Sequence, residues 1–220
     1  MSVYPAIPGT SLPYGPAPAT IGGVDDPTRR ALADALYASS SEHDARHADR
    51  LARWRNVEPE TAAMLALLVR ATRARRLLEI GTSNGYSALW LGDAAHATGG
   101  ALLTLDTEPD RTAIARANLL EGGLGDVVTA RTQDAGAALR DSPDGAFDFV
   151  FLDAERREYA GWWPDLVRVL APAGLLAVDN VLSHAAEVAD LRALVDADDR
   201  VAQALVPIGA GVLLVVRRPA

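Results

Sequence analysis

The chain has 220 residues, with 21 Lys and Arg against 29 Asp and Glu, four His, no Cys and 49% apolar residues, which suits one globular domain with a sizeable core. A formal net charge of −8 argues against a nucleic-acid partner, and the missing cysteines exclude disulfides and thiolate metal sites, leaving carboxylate, amide and imidazole as metal ligands. No run of 18 uninterrupted apolar residues and no basic-then-apolar leader occur, so neither a membrane partner nor secretion is expected and a cytoplasmic location is.

Residues 1–25 carry Pro5, Pro8, Pro13, Pro16 and Pro18, which predicts an extended Pro/Gly-rich arm. The remainder, 26–220, reads as one domain. Asp26-Pro27 is an N-cap followed by a first-turn proline, opening a helix to about Ala38. A second polar helix, Ser41 to Trp54, sets His43 and His47 on one face at a four-residue spacing compatible with a metal. No third ligand lies nearby, so a solvated or interface face is the preferred reading. Glu58-Pro59-Glu60 starts the next helix, which runs to about Ala71.

From there strands and helices alternate. Strands are predicted at Leu77–Ile80, Ala101–Asp106, Val127–Arg131, Phe147–Leu152 and Gly174–Asp179. Helices are predicted at Tyr86–Ala95, Pro109–Glu121, Asp134–Arg140, Tyr159–Leu170 and Ala185–Ala197. Five strands separated in this way imply a parallel sheet covered on both faces. Two further apolar runs, Val201–Ile208 and Val212–Arg217, are divided only by Gly209-Ala210-Gly211, a link that joins antiparallel neighbours.

The junction Leu77 to Ser87 is a buried strand feeding a helix through a turn with two glycines, Gly81 and Gly85. Such a turn lets the backbone approach a ligand, and the helix start offers N–H donors to an anion. Glu79 places a carboxylate inside an apolar strand, where it needs a partner. Asp106 ends the next strand, where an acidic side chain can accept ribose hydroxyls. Gln133 and Asp134, after the third strand, sit where an adenine edge would lie. The four-residue glycine spacing departs from the dinucleotide-binding pattern, which disfavours an NAD-dependent dehydrogenase.

Asp153 ends the fourth strand, and Asp179-Asn180 ends the fifth. Strand tips stand about 5 Å apart, so these three oxygen ligands converge on one point and suit Mg²⁺ or a similar ion. The competing reading has Asp179-Asn180 capping a helix and Asp153 bonding local backbone. Tyr159, Trp162 and Trp163 read either as an aromatic wall for a planar acceptor or, by preference, as core.

Together, Asn56-Val57, Glu79-Ile80-Gly81 through Gly85-Tyr86-Ser87, Leu105-Asp106, Phe151-Leu152-Asp153 and Asp179-Asn180-Val181 resemble the cation-dependent O-methyltransferases, the class I family that includes catechol and caffeoyl-CoA O-methyltransferases. The resemblance implies a Rossmann-like, seven-stranded, mostly parallel α/β sheet with an antiparallel C-terminal hairpin and helices on both faces. It implies S-adenosylmethionine held by Val57, Glu79, Gly81, Gly85, Ser87, Asp106, Gln133, Asp134 and Asp153. It implies a divalent cation, Mg²⁺, on Asp153, Asp179 and Asn180. Methyl transfer to a hydroxyl of a small, catechol-like acceptor would follow, with the N-terminal helices, 26–55, forming the lid and homodimer contacts. Arg156 stands where the family places a catalytic lysine. A guanidinium stays protonated and cannot serve as a base, so it would stabilise a phenolate or clamp a carboxylate. The base is then a metal-bound hydroxide, water or His184. The rivals are a cation-independent methyltransferase of the same fold and a cofactor-binding module without catalysis.

Overall fold

The structure, a computed structural model, describes Val24, residues 26–49 and residues 52–219. The expected arm, residues 1–25, lies outside these apart from Val24, whose carbonyl accepts from Arg30 Nη2 at 2.6 Å. The helices are α1 (Pro27–Arg46), α2 (Pro59–Thr72), α3 (Tyr86–Thr98), α4 (Pro109–Glu121), α5 (Ala135–Asp141), α6 (Tyr159–Val169) and α7 (Ala189–Asp196). The strands are β1 (Arg76–Ile80), β2 (Ala101–Asp106), β3 (Val128–Thr132), β4 (Phe147–Leu152), β5 (Leu170–Val178), β6 (Val201–Val206) and β7 (Val212–Arg217).

The strands form one sheet in the order β3-β2-β1-β4-β5-β7-β6. Neighbours from β3 to β5 are parallel, and β7 runs antiparallel to both β5 and β6. This is the Rossmann-like α/β arrangement with an antiparallel terminal hairpin expected above. The central strands are apolar on both faces because helices cover both. Leu77, Phe149, Phe151, Leu175 and Ala177 pack beneath α1, α2 and α3. Leu78, Ile80, Val150, Leu152, Leu176 and Val178 pack beneath α5, α6 and α7. The order reverses between β1 and β4, so their carboxyl ends open the crevice in which such sheets bind ligands.

Two helices differ from the expectation. One continuous helix, α1, replaces the predicted pair, and it ends at Arg46 rather than Trp54. The Ser39-Ser40-Ser41 run reads as a break, yet the Ser39 and Ser41 hydroxyls donate back to the carbonyls of Leu36 and Tyr37, and Ser40 is buried. Helix α7 starts at Ala189 rather than Ala185, because the backbone N–H groups of Val181, Leu182 and Ser183 donate to Gly211 and Ala210 in the β6–β7 turn. That pairing fixes the post-β5 segment before a helix can begin.

Asp93 of α3 ties three helices together. Its carboxylate, 3% exposed, takes Arg29 Nη1 of α1 at 2.8 Å and Arg70 Nη2 of α2 at 2.6 Å. Removing the anion leaves two cations facing each other at a helix junction. Asp93→Ala is expected to destabilise the fold by about 3 kcal/mol, and Arg29→Ala by less, because Asp93 then keeps Arg70; urea denaturation of the three proteins measures both.

Candidate functional site

At the carboxyl edge of β1, β2, β4 and β5 lies a cavity of about 1060 Å³, large enough for a nucleoside and a small aromatic molecule together. Its floor is the turn after β1. Gly81 has φ +110°, and a Cβ there would fall 1.9 Å from the Asp153 carbonyl oxygen, so glycine is required both by its backbone and by the neighbouring strand end. Gly81 and Thr82 N–H both donate to the Leu105 carbonyl, which locks the turn to β2. Asp106 completes the lock: one carboxylate oxygen accepts Ser83 N–H at 2.8 Å and the other accepts Glu108 N–H at 2.9 Å. Val57, Gly81, Ser87, Asp106, Gln133 and Asp134 all line this part of the cavity. Asp134 also caps α5, accepting Ala137 N–H at 2.7 Å.

Two residues expected at the cofactor lie behind the wall instead. Glu79 is fully buried and pairs across the sheet register with Thr104, whose hydroxyl donates to it at 2.5 Å. Burial pushes its carboxyl up to about 7, opposed by the hydroxyls of Ser87 and Thr104. Ser87 is thus close enough to be felt, although Oε1 of Glu79 has no hydrogen-bond partner of good geometry among the described residues. Gly85, φ +86°, stands at the N-cap of α3, where a Cβ would press on Ala115 of α4 at 3.1 Å. Both residues shape the turn from beneath it.

The second cluster sits on the next two strand tips. Asn180 Nδ2 donates to Asp179 Oδ2 at 2.8 Å and to Asp153 Oδ1 at 3.2 Å, so the three side chains converge. No helix starts at Asp179-Asn180, which removes the capping alternative. Asn180 adopts φ +66°, a left-handed conformation that asparagine tolerates better than most residues. Burial raises both carboxyls, and Asp153 raises Asp179 further. Asp179 Oδ1 is buried with no hydrogen-bond partner among the described residues. Among the described residues no group of three or more His, Asp or Glu has metal-binding geometry. A metal site here would therefore consist of two carboxylates and an amide. Two close buried acids with one orphaned oxygen fit a hard, oxygen-preferring cation.

The opposite wall is residues 52–58, which sequence periodicity assigns partly to a helix. Asp44, near the end of α1, accepts Trp54 N–H at 2.7 Å and Arg55 N–H at 2.9 Å, and Arg55 takes φ +55°. His43 stacks on Trp54 with ring centroids 4.0 Å apart and on His47 at 4.1 Å. The two histidines thus belong to a ring stack behind this wall. Arg55 reaches into the cavity, lowers the Asp153 carboxyl by its charge, and meets Glu155 at 3.4 Å. Neither Arg55 nor Glu155 has a signal in the pattern of the sequence.

Arg156 is 4% exposed, and its Nε donates to Glu187 Oε2 at 2.8 Å. Its charge lowers both Asp153 and Asp179. His184 lines the same cavity, its Nδ1 2.8 Å from the Ser183 hydroxyl. Among the three aromatics, Tyr159 and Trp163 are core, whereas half-buried Trp162 lines the cavity. The Tyr159 hydroxyl accepts Ala154 N–H and donates to the Ala154 carbonyl, steadying the turn beside Asp153.

Comparison with known proteins gives a consistent picture. The O-methyltransferase family matches this chain over residues 42–218. A catechol O-methyltransferase of Mycobacterium tuberculosis is 36% identical over 158 residues, 72% of this chain and 66% of that enzyme. An O-methyltransferase of Bacillus cereus, solved in complex with SAH, superposes with a TM-score of 0.70 at 27% identity, covering 88% of this chain and 91% of that one. The O-methyltransferase TomG of Streptomyces achromogenes, involved in tomaymycin synthesis and solved in complex with SAM, gives 0.69 at 25% identity, covering 89% and 91%.

Glu79 makes the stability of the cofactor-free protein depend on pH. The folded state holds a proton between pH 4.5 and about 7 that the unfolded chain releases, so this contribution is full below pH 4.5 and is lost as the pH rises to 7. The stability of Glu79→Gln relative to the parent should therefore rise across that window, by on the order of 3 kcal/mol at most. Urea denaturation at pH 4.5, 6 and 8 measures this; a gap that does not move with pH would show that Glu79 is not the titrating group.

Proposed function

The chain belongs to the O-methyltransferase family, and from that membership and the cavity just described we propose that it transfers a methyl group from S-adenosylmethionine to one hydroxyl of a small vicinal diphenol, using a divalent cation. The observation that carries the finer part of this reading is the meeting of Asp153, Asp179 and Asn180 at adjacent strand tips, with Asp179 Oδ1 left without a partner among the described residues. Those three side chains would hold Mg²⁺ or a similar ion. Bound there, the ion supplies the Lewis acidity that makes a phenolic hydroxyl nucleophilic near neutral pH.

The other residues bind, orient and handle charge. Asp106 lies at the end of β2 to receive the ribose hydroxyls, and Gly81 and Ser87 line the part of the cavity where the donor's amino-acid end would lie. Val57 and Ser87 close that end, and Trp162, Gln133 and Asp134 flank the base. Gly81 brings this half against Asp153, so donor and acceptor would share one wall of the cavity. Arg156 remains a cation throughout and stabilises negative charge on the acceptor, while His184 takes the phenolic proton. One observation favours a second reading without metal: the Arg156 guanidinium already offsets charge on both aspartates.

Calorimetric titration of SAH, then of catechol onto the SAH-saturated protein, with Mg²⁺ and with EDTA, separates the two. SAH should bind in either medium, and catechol only with Mg²⁺. Catechol binding that is indifferent to EDTA would sink the metal assignment. Asp179→Ala should abolish catechol binding while leaving SAH affinity within about threefold. Asp106→Ala should do the reverse, weakening SAH by about 10-fold to 100-fold through loss of charge-assisted hydrogen bonds.

A further inference from the structure

We propose a second binding site, for a small phosphate-bearing anion, at the edge of the sheet opposite the strand-tip cavity. It goes beyond the methyl-transfer reading and does not rest on it. The site is a cavity of about 460 Å³ lined by Arg70, Arg73, Arg75, Ala97 and Thr98. Arg70 and Arg73 come from the end of α2, Ala97 and Thr98 from the end of α3, and Arg75 from the lead into β1. Its volume falls in the range of about 300–1,000 Å³ typical of small-molecule sites.

The charge here runs against the rest of the chain. Residues 70–76, Arg-Ala-Thr-Arg-Ala-Arg-Arg, hold four cations and no acid in a protein of net charge −8. The carboxylates that meet this segment are already engaged. Asp93 takes Arg29 and Arg70, and Asp148 takes the Arg76 guanidinium together with the N–H groups of Arg75 and Arg76. Arg73 forms no ion pair or side-chain hydrogen bond with another described residue. It also takes φ +54° at the end of α2, a backbone that glycine adopts freely and a longer side chain does not. The chain thus keeps a strained, exposed cation where no internal partner offsets the strain.

The frame around these arginines is fixed. The Thr98 hydroxyl donates to the Ala74 carbonyl at 2.7 Å, and Ala101 N–H donates to the Arg75 carbonyl at 2.8 Å. A Cβ on Gly100 would fall 2.4 Å from Arg75 Cα, so the backbones of the two segments touch directly. Arg75 Nε and Nη2 both donate to the Gly99 carbonyl, at 3.2 and 3.0 Å, which sets the plane of the guanidinium and leaves Nη1 uncommitted. The last carbonyls of α2 and α3 accept the N–H groups of Arg73, Ala74, Gly99 and Gly100, which blunts the negative helix ends that would otherwise repel an anion. Forked guanidinium donors around one concavity match the oxygens of a phosphate ester or diphosphate. A membrane or nucleic acid would bring a broad anionic surface against the net charge of −8, whereas a small anion has to match only the concave site.

Calorimetry of inorganic pyrophosphate on the full chain, saturated with SAH and in EDTA, tests this. The parent should bind one pyrophosphate, and its thermal melt should rise with ligand concentration. Arg73→Gly should weaken binding about tenfold, and so should Arg75→Gln. Glycine relaxes the backbone at position 73, so that variant should melt no lower than the parent, which separates lost binding from lost folding. Arg76→Gln, exposed, paired with Asp148 and outside the lining, should leave the affinity within about twofold. SAH affinity should be unchanged in every variant. A parent that binds no pyrophosphate overturns the proposal. So does binding that Arg73→Gly and Arg75→Gln both leave unchanged, which would place the anion elsewhere. Equal weakening by Arg76→Gln would reduce the site to diffuse attraction by a basic patch. Binding to vesicles of anionic phospholipid without binding of free pyrophosphate would make the ligand a membrane surface, and the proposal would fail.

Discussion

The contact on which the cavity depends is the packing of Gly81 against the Asp153 carbonyl. A single methyl group at position 81 would fall 1.9 Å from that oxygen, so the turn after β1 and the end of β4 meet with no side chain between them. The backbone hydrogen bond from Asp153 N–H to the Ile80 carbonyl seals the same junction. This closeness is what makes one cavity out of two half-sites. The turn and Asp106 form one side of it, and the meeting of Asp153, Asp179 and Asn180 forms the other. A reaction that moves one carbon between two bound molecules needs that economy of distance.

Around the junction, short acidic side chains act as fasteners for backbone. Asp106 holds Ser83 and Glu108, Asp44 holds Trp54 and Arg55, and Asp134 holds Ala137. Each accepts N–H groups of non-helical or helix-starting segments, where secondary structure provides no carbonyl. The loops around the cavity are thereby fixed by side-chain oxygens, while the sheet beneath is fixed by its own ladder and by apolar packing.

The sheet was legible in the sequence because parallel strands buried on both faces read as continuous apolar runs, and because Asp106, Asp153 and Asp179 each fall where such a run stops. The cost of a charge at Glu79 was legible too, but not its partner: Thr104 meets it only through the β1–β2 register, which is a tertiary fact. The serines at 39 to 41 misled because their hydroxyls satisfy the helix they would be expected to break. Arg55, Glu155 and Glu187 were invisible as site residues. Arg55 and Glu155 reach the cavity through loop conformations, Arg55 with a left-handed backbone set by an aspartate eleven positions earlier, and Glu187 bears on it only through Arg156.

The Asp93 cluster gives the two sides of the cavity different sensitivities to solvent. Helices α1 and α2, which bracket the wall at 52–58, are joined through Asp93 to arginines that are 13% and 22% exposed. The floor at Gly81 hangs instead on strands that are almost wholly apolar and dry. Kosmotropic salts strengthen the second kind of attachment, whereas the first, anchored on a carboxylate only 3% exposed, is screened little by salt. The wall at 52–58 thus hangs on one buried anion, and the floor at Gly81 on a broad apolar layer.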